Sequence, residues 1–218
     1  MEKLHISVSP HIRSSITTQR IMLDVIIALL PATVAGCIIF GLSSVFVILA
    51  CVISAVLFEY LFNLWVKRTQ TISDLSAVVT GLLLALNLPA NTPIWQCVVG
   101  SFFAIILVKC VFGGIGCNFA NPAATARVFL IIAFSASIGG ATAPVLGGAD
   151  LVASATPLEI IKLGNDADLP SILDMFLGNR AGAIGETSAL ALILGGVYLI
   201  VRRVIKWQVP VIYIATVF

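Results

Sequence analysis

Long stretches without charge are the feature of this sequence that most restricts its fold. Six apolar runs follow one another along the chain, at about 21–42, 45–66, 75–89, 94–112, 123–138 and 187–201. The first, second and fourth are long enough to cross a hydrocarbon core of about 30 Å as helices that rise about 1.5 Å per residue. The sequence therefore predicts an all-α fold, that of a polytopic helical membrane protein.

The composition agrees with this prediction and excludes several other classes of protein. Apolar residues make up 60% of the chain and charged residues 10%, and the mean hydropathy is +1.12. Soluble domains have about 45–50% apolar and about 25% charged residues. A disordered chain, a disulfide-stapled secreted domain and a nucleic-acid-binding module are therefore excluded. The five cysteines contain no CxxC pair, which favours small apolar core residues over a metal site.

The third and fifth runs are too short for a simple span, since as helices they reach only about 22–24 Å. Asp74 precedes the third run, and Asn121 with Pro122 opens the fifth, so both starts have the residue types of helix caps. Short spans of this kind are typical of discontinuous helices that meet near the bilayer midplane in transporter-like folds. An irregular tilted bundle is the alternative.

The basic residues predict an orientation and a division of the chain. With a cytoplasmic N-terminal segment, 1–20, ten of the twelve lysines and arginines fall on the cytoplasmic side, as the positive-inside rule requires. These ten are Lys3, Arg13, Arg20, Lys67, Arg68, Lys109, Arg127, Arg202, Arg203 and Lys206. The first membrane repeat then covers 21–138, with about five spans, two of them short. Residues 139–186 form an acidic extracytoplasmic loop.

A weak internal similarity predicts inverted repeats. Shifting the chain by 112 residues aligns Trp95-Gln96 with Trp207-Gln208 and several apolar positions. In the predicted topology the two copies have opposite orientations, as in folds with a pseudo-two-fold axis in the membrane plane. Residues 187–218 begin the second repeat, and their last ten residues are too short to cross a bilayer. We therefore expect the sequence to stop inside a span.

The loop between the fourth and fifth runs is the first of three stretches with candidate site residues. Gly113, Gly114 and Gly116 allow the backbone to bend and to approach a ligand closely. Asn118 and Asn121 lie three residues apart at a helix start, where backbone N–H groups are unpaired. Together they suit a neutral or anionic heterocyclic ligand, although a tight loop without a ligand explains the same residues equally well.

The other two stretches have the pattern of helix starts. Ser154 and Thr156 precede Pro157, so the residues alone predict a turn or a helix with Thr156 as its N-cap. The stretch Gly185–Ser188 predicts a cap for the apolar run that follows. Within it, Glu186 either neutralises the helix end or holds a cation, and capping is the simpler interpretation.

Three charged residues lie inside apolar runs, where charge is costly and often functional. Lys109 is expected to extend to the membrane interface. Asp24 follows Arg20 by one helical turn, so we expect a local ion pair between them. Glu59, like Asp24, lies close to the predicted cytoplasmic end of its run.

Taken together, these stretches resemble the RnfD family, the D subunits of the Rnf complex, which is a membrane ferredoxin:NAD oxidoreductase that moves ions. They are also similar to relatives of that family, the B subunits of the sodium-translocating NADH:quinone oxidoreductase. The matching stretches are Ser9–His11, Asp74–Pro89, Gly113–Ala123, Ser154–Leu158 and Gly185–Ser188. The resemblance implies a multi-pass subunit of a translocase in the bacterial plasma membrane, with no complete active site in this chain alone.

The resemblance also implies a covalent flavin. In this family a flavin transferase attaches FMN through a phosphodiester to a threonine, which corresponds here to Thr156. Asp150 and Ser154 match the family's motif, whereas Leu151 and Ala153 depart from it.

A second flavin, non-covalent riboflavin or FMN, is implied among the spans. By similarity, Asn118 and Asn121 supply the amides that bind it. The three glycines Gly113, Gly114 and Gly116 would let the ring pack against backbone, and Arg127 is a further cofactor-binding candidate.

The function implied is electron relay between ferredoxin and NAD, coupled to movement of Na⁺ or H⁺. The expected partners are the other integral and peripheral Rnf subunits, including a neighbouring flavin-carrying subunit, and the flavin transferase during maturation. Asp24 and Glu59 are candidates for the ion path. The alternatives are a redox-free inverted-repeat channel or transporter for a small polar solute, and a structural membrane anchor.

Overall fold

A computed structural model of the chain describes residues 17–144, 153–163 and 170–217. The helices are α1 (Thr18–Phe40), α2 (Leu42–Val66), α3 (Ser76–Leu86), α4 (Ile94–Phe102), α5 (Pro122–Ala133), α6 (Ser135–Ile138), α7 (Pro157–Lys162), α8 (Ile172–Leu177), α9 (Ala189–Val201) and α10 (Gln208–Val217). A 3₁₀ turn, Ile72–Asp74, precedes α3, and α4 continues as a π-helix over Phe103–Cys110. The strands are β1 (Ala141–Thr142) and β2 (Ala153–Ser154).

Two helices of this described part, α1 and α2, are long and apolar enough to cross a membrane. The Thr17 hydroxyl caps the first by accepting a hydrogen bond from Arg20 N at 3.3 Å. Gly41, with φ of 68°, ends α1 and allows α2 to start at the next residue. Large apolar side chains point outward on both helices, such as Ile38 (67% exposed) and Trp65 (81% exposed). The fold is therefore that of a helical membrane protein, as predicted.

The short helix α3 ends inside the bundle. Leu86 and Leu88 are buried, and their carbonyl oxygens accept hydrogen bonds from Gly185 N at 2.8 Å and Ile184 N at 3.0 Å. A distant loop thus satisfies carbonyls that a longer helix would satisfy internally. The third apolar run thus forms a short helix of 11 residues, and its being one half of a discontinuous span stays a prediction.

The two segments matched by the internal similarity, α3 and α9, run in opposite directions. Gly81 of α3 packs against the backbone of Cys51 in α2, and Ser76 lies nearer the end of α2, so α3 is antiparallel to α2 and parallel to α1. Gly195 of α9 packs against Ala28 of α1, with α9 antiparallel to α1. Opposite directions are what inverted copies require.

The strands lie at the N-terminal end of α2. β1 and β2 pair antiparallel, with Ala141 opposite Ser154. The Thr142 hydroxyl donates to Asn91 Oδ1 at 3.2 Å, and Asn91 lies beside Ser43 at the start of α2. The chain after α6 is thereby fixed to this end of the bundle.

Candidate functional site

The glycine loop between α4 and α5 bends as its sequence predicts. Gly113, Gly114 and Gly116 have φ values of 114°, 96° and 84°. Residues other than glycine rarely adopt this backbone conformation. A Cβ atom placed on Gly114 or Gly116 would have no other atom within 4 Å. The backbone is therefore open on one side, where a flat ring has room to approach.

Asn121 is the N-cap of α5, as predicted. Its Oδ1 accepts hydrogen bonds from Ala123 N at 3.0 Å and Ala124 N at 3.4 Å, and Pro122 occupies the first helical position. The side-chain oxygen is thus committed to the helix end. The Nδ2 donor of Asn121 is the group that remains for a ligand.

Asn118 presents the opposite case. Its Oδ1 is buried and has no hydrogen-bond partner among the described residues. Leaving a buried acceptor unpaired costs about 1–3 kcal/mol, so such atoms in folded proteins ordinarily have a partner. A ligand N–H donor at this position would satisfy Asn118, and the flavin ring system carries such a donor. The loop residues therefore fit the flavin that the family resemblance implies.

Arg127, unlike Asn118 Oδ1, has a hydrogen-bond partner within the described part of the chain. Its Nη1 donates to Asn87 Oδ1 at 2.8 Å, and Asn87 is the residue that ends α3. This bond ties α5 to the interrupted end of α3, six residues beyond the Asn121 cap. Arg127 therefore has an architectural partner already, and its role in cofactor binding stays a prediction.

Thr156 forms the N-cap that the residues alone predict. Its Oγ1 accepts from Glu159 N at 3.3 Å and lies 3.2 Å from Glu159 Oε2, while Thr156 N donates to the same carboxylate at 2.7 Å. Together these bonds form a capping box. Thr156 is half-buried and Ser154 exposed, whereas Asp150 and Leu151 lie outside the described residues. The attachment of FMN stays a prediction.

The threonine segment (Ser154–Leu158) and the glycine loop lie at opposite ends of α2. β2, two residues before Thr156, is linked through β1 to Asn91 at the start of α2. Gly113 and Gly114 instead line a cavity with Asn63 and Arg68 at the end of α2. A 25-residue helix is about 37 Å long, so the two candidate sites are well separated.

The cap of α9 is Ser188, whose hydroxyl accepts from Ala191 N at 3.4 Å. Glu186 instead accepts from Ala183 N through Oε1 at 3.0 Å. The carboxylate therefore stabilises the turn before α9. Cation binding by Glu186 stays a prediction.

A buried ion pair joins α2 to the end of the π-helix. Lys109 Nζ lies 2.8 Å from Glu59 Oε1, and both residues are only 2% exposed. Lys109 also donates to Ser76 Oγ, which in turn donates to Asp74. Thr71 donates to the same Glu59 oxygen at 2.7 Å. The other carboxylate oxygen, Glu59 Oε2, is buried without a partner in the part of the chain described.

Two expectations about charged residues are wrong. Lys109 does not extend to the interface, because Glu59, fifty residues away, compensates its charge inside the bundle and Ser76 accepts a hydrogen bond from it. Asp24 does not pair with Arg20. Its carboxylate accepts from Arg202 Nε at 3.2 Å and from Tyr198 Oη at 3.1 Å, since α9 packs against α1. Both true partners are distant in sequence, and nothing in the local pattern identifies them.

Comparisons with known proteins show the family of this chain. The model of the NQR2, RnfD, RnfE family matches residues 5–218. The chain is 47% identical, over 98% of its length and 67% of the relative's, to the D subunit of the Na(+)-translocating ferredoxin:NAD(+) oxidoreductase complex of Acetobacterium woodii.

It is 40% identical to the D subunit of the proton-translocating ferredoxin:NAD(+) oxidoreductase complex of Clostridium ljungdahlii, over 97% of this chain and 66% of that one. It is 36% identical to the D subunit of the ion-translocating oxidoreductase complex of Rhodobacter capsulatus, over 98% and 68%. The chain spans about two thirds of the length of these relatives. It belongs to the NQR2, RnfD, RnfE family.

Proposed function

We propose that this chain is a membrane flavoprotein subunit of an ion-translocating electron-transport complex in the bacterial plasma membrane. The complex would pass electrons between ferredoxin and NAD and couple them to Na⁺ or H⁺ movement. The names of the relatives support this, one being named for sodium and another for protons. The other subunits of such a complex are the proposed partners.

The first proposed cofactor is FMN linked by a phosphodiester to Thr156. The hydroxyl lies at a helix start in a segment that packs on the end of the bundle, next to an open cavity lined by Ser154, Glu159 and Lys162. Glu159 Oε2, 3.2 Å from Oγ1, is placed to take the hydroxyl proton. Oγ1 would attack the flavin-side phosphorus of a flavin dinucleotide supplied by the transferase, the pyrophosphate bond would break, and a nucleoside monophosphate would leave. The positive-inside asymmetry supports an extracytoplasmic position for this segment.

The second proposed cofactor is non-covalent riboflavin or FMN at the glycine loop. The observation that carries this proposal is the buried, unpartnered Oδ1 of Asn118 beside backbone that is open at Gly114 and Gly116. Asn118 would accept from the ring, and Asn121 Nδ2 would donate to it. Amides satisfy such a ligand without burying a charge.

When bound, the flavins would supply the redox chemistry, and the chain's residues supply position and electrostatics. The two proposed sites lie at opposite ends of α2. The proposed neighbouring flavin-carrying subunit would bridge this gap. The Glu59–Lys109 pair lies near the glycine-loop cavity, where a change of charge on a ligand is strongly felt in a low dielectric.

Flavin content of variants tests this function. The protein is co-expressed with a flavin transferase, and fluorescence is measured in a denaturing gel and in the solvent extract. Thr156→Asn keeps a good N-cap residue, since asparagine caps at least as well as threonine, but it has no hydroxyl to esterify, so we expect the fluorescent band to disappear. Thr216→Asn, the same substitution at an exposed threonine of α10 outside the motif, is the matched control and should keep the band.

The extract reports on the second site. Asn118→Leu should lose the extractable flavin and keep the covalent band, while Thr156→Asn should do the reverse. A wild-type protein without flavin in either fraction would overturn the proposal and favour the redox-free channel.

A further inference from the structure

A charged pocket unrelated to the two flavin sites lies where the start of α1 meets the end of α9. Its lining residues are Arg20, Ile21, Asp24, Arg202, Arg203 and Val204. None of them belongs to the glycine loop, the threonine segment or the Glu59–Lys109 pair. The pocket needs a separate explanation.

Close packing of α1 and α9 builds this pocket. A Cβ atom on Gly195 would clash with the carbonyl oxygen of Ala28, so only glycine allows the helices to approach this closely. One helical turn before Ala28 lies Asp24, and one to two turns beyond Gly195 lie Tyr198 and Arg202. The crossing therefore brings these three side chains together.

Asp24 holds Arg202 in a fixed orientation. The carboxylate accepts from Arg202 Nε at 3.2 Å and from Nη2 at 3.4 Å, and from Tyr198 Oη at 3.1 Å. Asp24 is only 7% exposed, whereas the arginine side chain is 44% exposed. One edge of the guanidinium, Nε and Nη2, is thus bound to Asp24, and its other N–H groups point away from that carboxylate, where a ligand could accept from them.

The pocket carries excess positive charge. Asp24 compensates Arg202, and no other carboxylate lines the pocket among the described residues. Arg20 and Arg203 therefore leave a net charge of about +2 at neutral pH. Arg203 has a left-handed backbone, with φ of 57°, and its N–H bonds to Ile200 O at 3.0 Å where α9 ends. This helix end fixes Arg203 next to Arg202.

The pocket is also continuous with apolar surface. Ile21 and Val204 line it, and Ile21 is 37% exposed. Val201, the last residue of α9 and three residues before Val204, is exposed as well. A ligand that combines a phosphate with hydrocarbon chains matches both parts of the surface. Basic pockets between membrane helices are known to bind anionic lipid headgroups.

We propose that this pocket binds the phosphate of an anionic phospholipid, with the acyl chains lying along α1 and α9. Arg20, Arg202 and Arg203 would donate charge-assisted hydrogen bonds to the phosphate oxygens. The site would attach the α1–α9 crossing to the lipid of the cytoplasmic leaflet. The proposal does not depend on the flavin sites.

Native mass spectrometry of the full-length protein tests this site. The protein is released from dodecyl maltoside micelles that contain equal amounts of phosphatidylglycerol and phosphatidylcholine, and retained lipid is measured. We expect one phosphatidylglycerol per chain. Arg20→Gln/Arg203→Gln should reduce its retention about tenfold or more, because two cationic contacts are lost.

The control removes the same charge elsewhere on the predicted cytoplasmic face. Lys67→Gln/Arg68→Gln should retain phosphatidylglycerol like the wild type. Equal retention by both double variants, or equal retention of the two lipids, would overturn the proposal. Displacement of the lipid by millimolar inorganic phosphate would also overturn it, since a soluble phosphate would then be the ligand.

Discussion

At the scale of single residues, the buried Glu59–Lys109 pair is the most costly feature of the molecule. Both charges are withdrawn from water. Among the described residues their partners are each other and the hydroxyls of Thr71 and Ser76, which hydrogen-bond to Glu59 and Lys109 respectively. Such a pair adds little stability by itself, yet removal of one partner leaves an uncompensated buried charge. Because the pair lies beside the glycine-loop cavity, we expect its role to be functional, through the electric field that it exerts in that cavity.

Single and paired substitutions distinguish this cost from loss of packing. Lys109→Met should reduce the free energy of unfolding by about 3–5 kcal/mol, because Glu59 then stays buried without its cation. Glu59→Gln/Lys109→Met should recover most of that loss, as an uncharged pair needs no compensation. Thermal unfolding of the purified protein measures both.

Lys206→Met is the matched control, since Lys206 is exposed and its loss should change stability by less than about 0.5 kcal/mol. A double variant as unstable as Lys109→Met alone would show that packing, and not charge, decides the effect.

At the scale of the elements, the local sequence predicts where helices begin and end, but it does not predict contacts between residues far apart in the chain. The apolar runs give α1, α2 and α3 to within about three residues at each end, because helices in a membrane satisfy their own backbone. The fourth run corresponds to α4 together with its π-helical continuation, and the fifth to α5 and α6, which Phe134 separates. Asn121 marks the start of α5 because its cap is a local interaction. Asp24 and Lys109 illustrate the limit, because their partners Arg202 and Glu59 lie far along the chain. A single sequence contains no information that selects those pairs.

The α1–α9 crossing offers a test with two adjacent glycines. Gly195→Ala should separate the helices, because the added Cβ would clash with the carbonyl oxygen of Ala28. Gly196→Ala should be neutral or stabilise the helix by up to about 1 kcal/mol, since a Cβ there meets open space.

The measurement is thermal unfolding together with cross-linking of cysteines placed on α1 and α9. A Gly195→Ala protein as stable as Gly196→Ala would contradict the close approach and, with it, the geometry of the arginine pocket.

At the scale of the whole molecule, the two ends of α2 carry different chemistry. One end has the glycine loop, Lys67 and Arg68, and the other has the strands and the threonine segment. The sequence predicts which end faces the cytoplasm from its lysines and arginines alone, because contacts within the bundle are the same in either orientation. The placement of the sites at opposite ends comes from the fold, and the direction they face is a property of the membrane.

Cysteine accessibility in intact cells tests that direction. The background is Cys117→Ser, which removes the exposed native thiol. Ser171→Cys, at the start of α8, lies on the threonine side, because Gly178 at the end of α8 packs against Ile39 near the end of α1. Lys67→Cys lies on the glycine-loop side, and both positions are exposed. A membrane-impermeant maleimide should label Ser171→Cys in intact cells and Lys67→Cys only after permeabilisation. The reverse pattern would place Thr156 in the cytoplasm. The arginine pocket would then contact the outer leaflet, so the charge asymmetry that supports both proposals would need another cause.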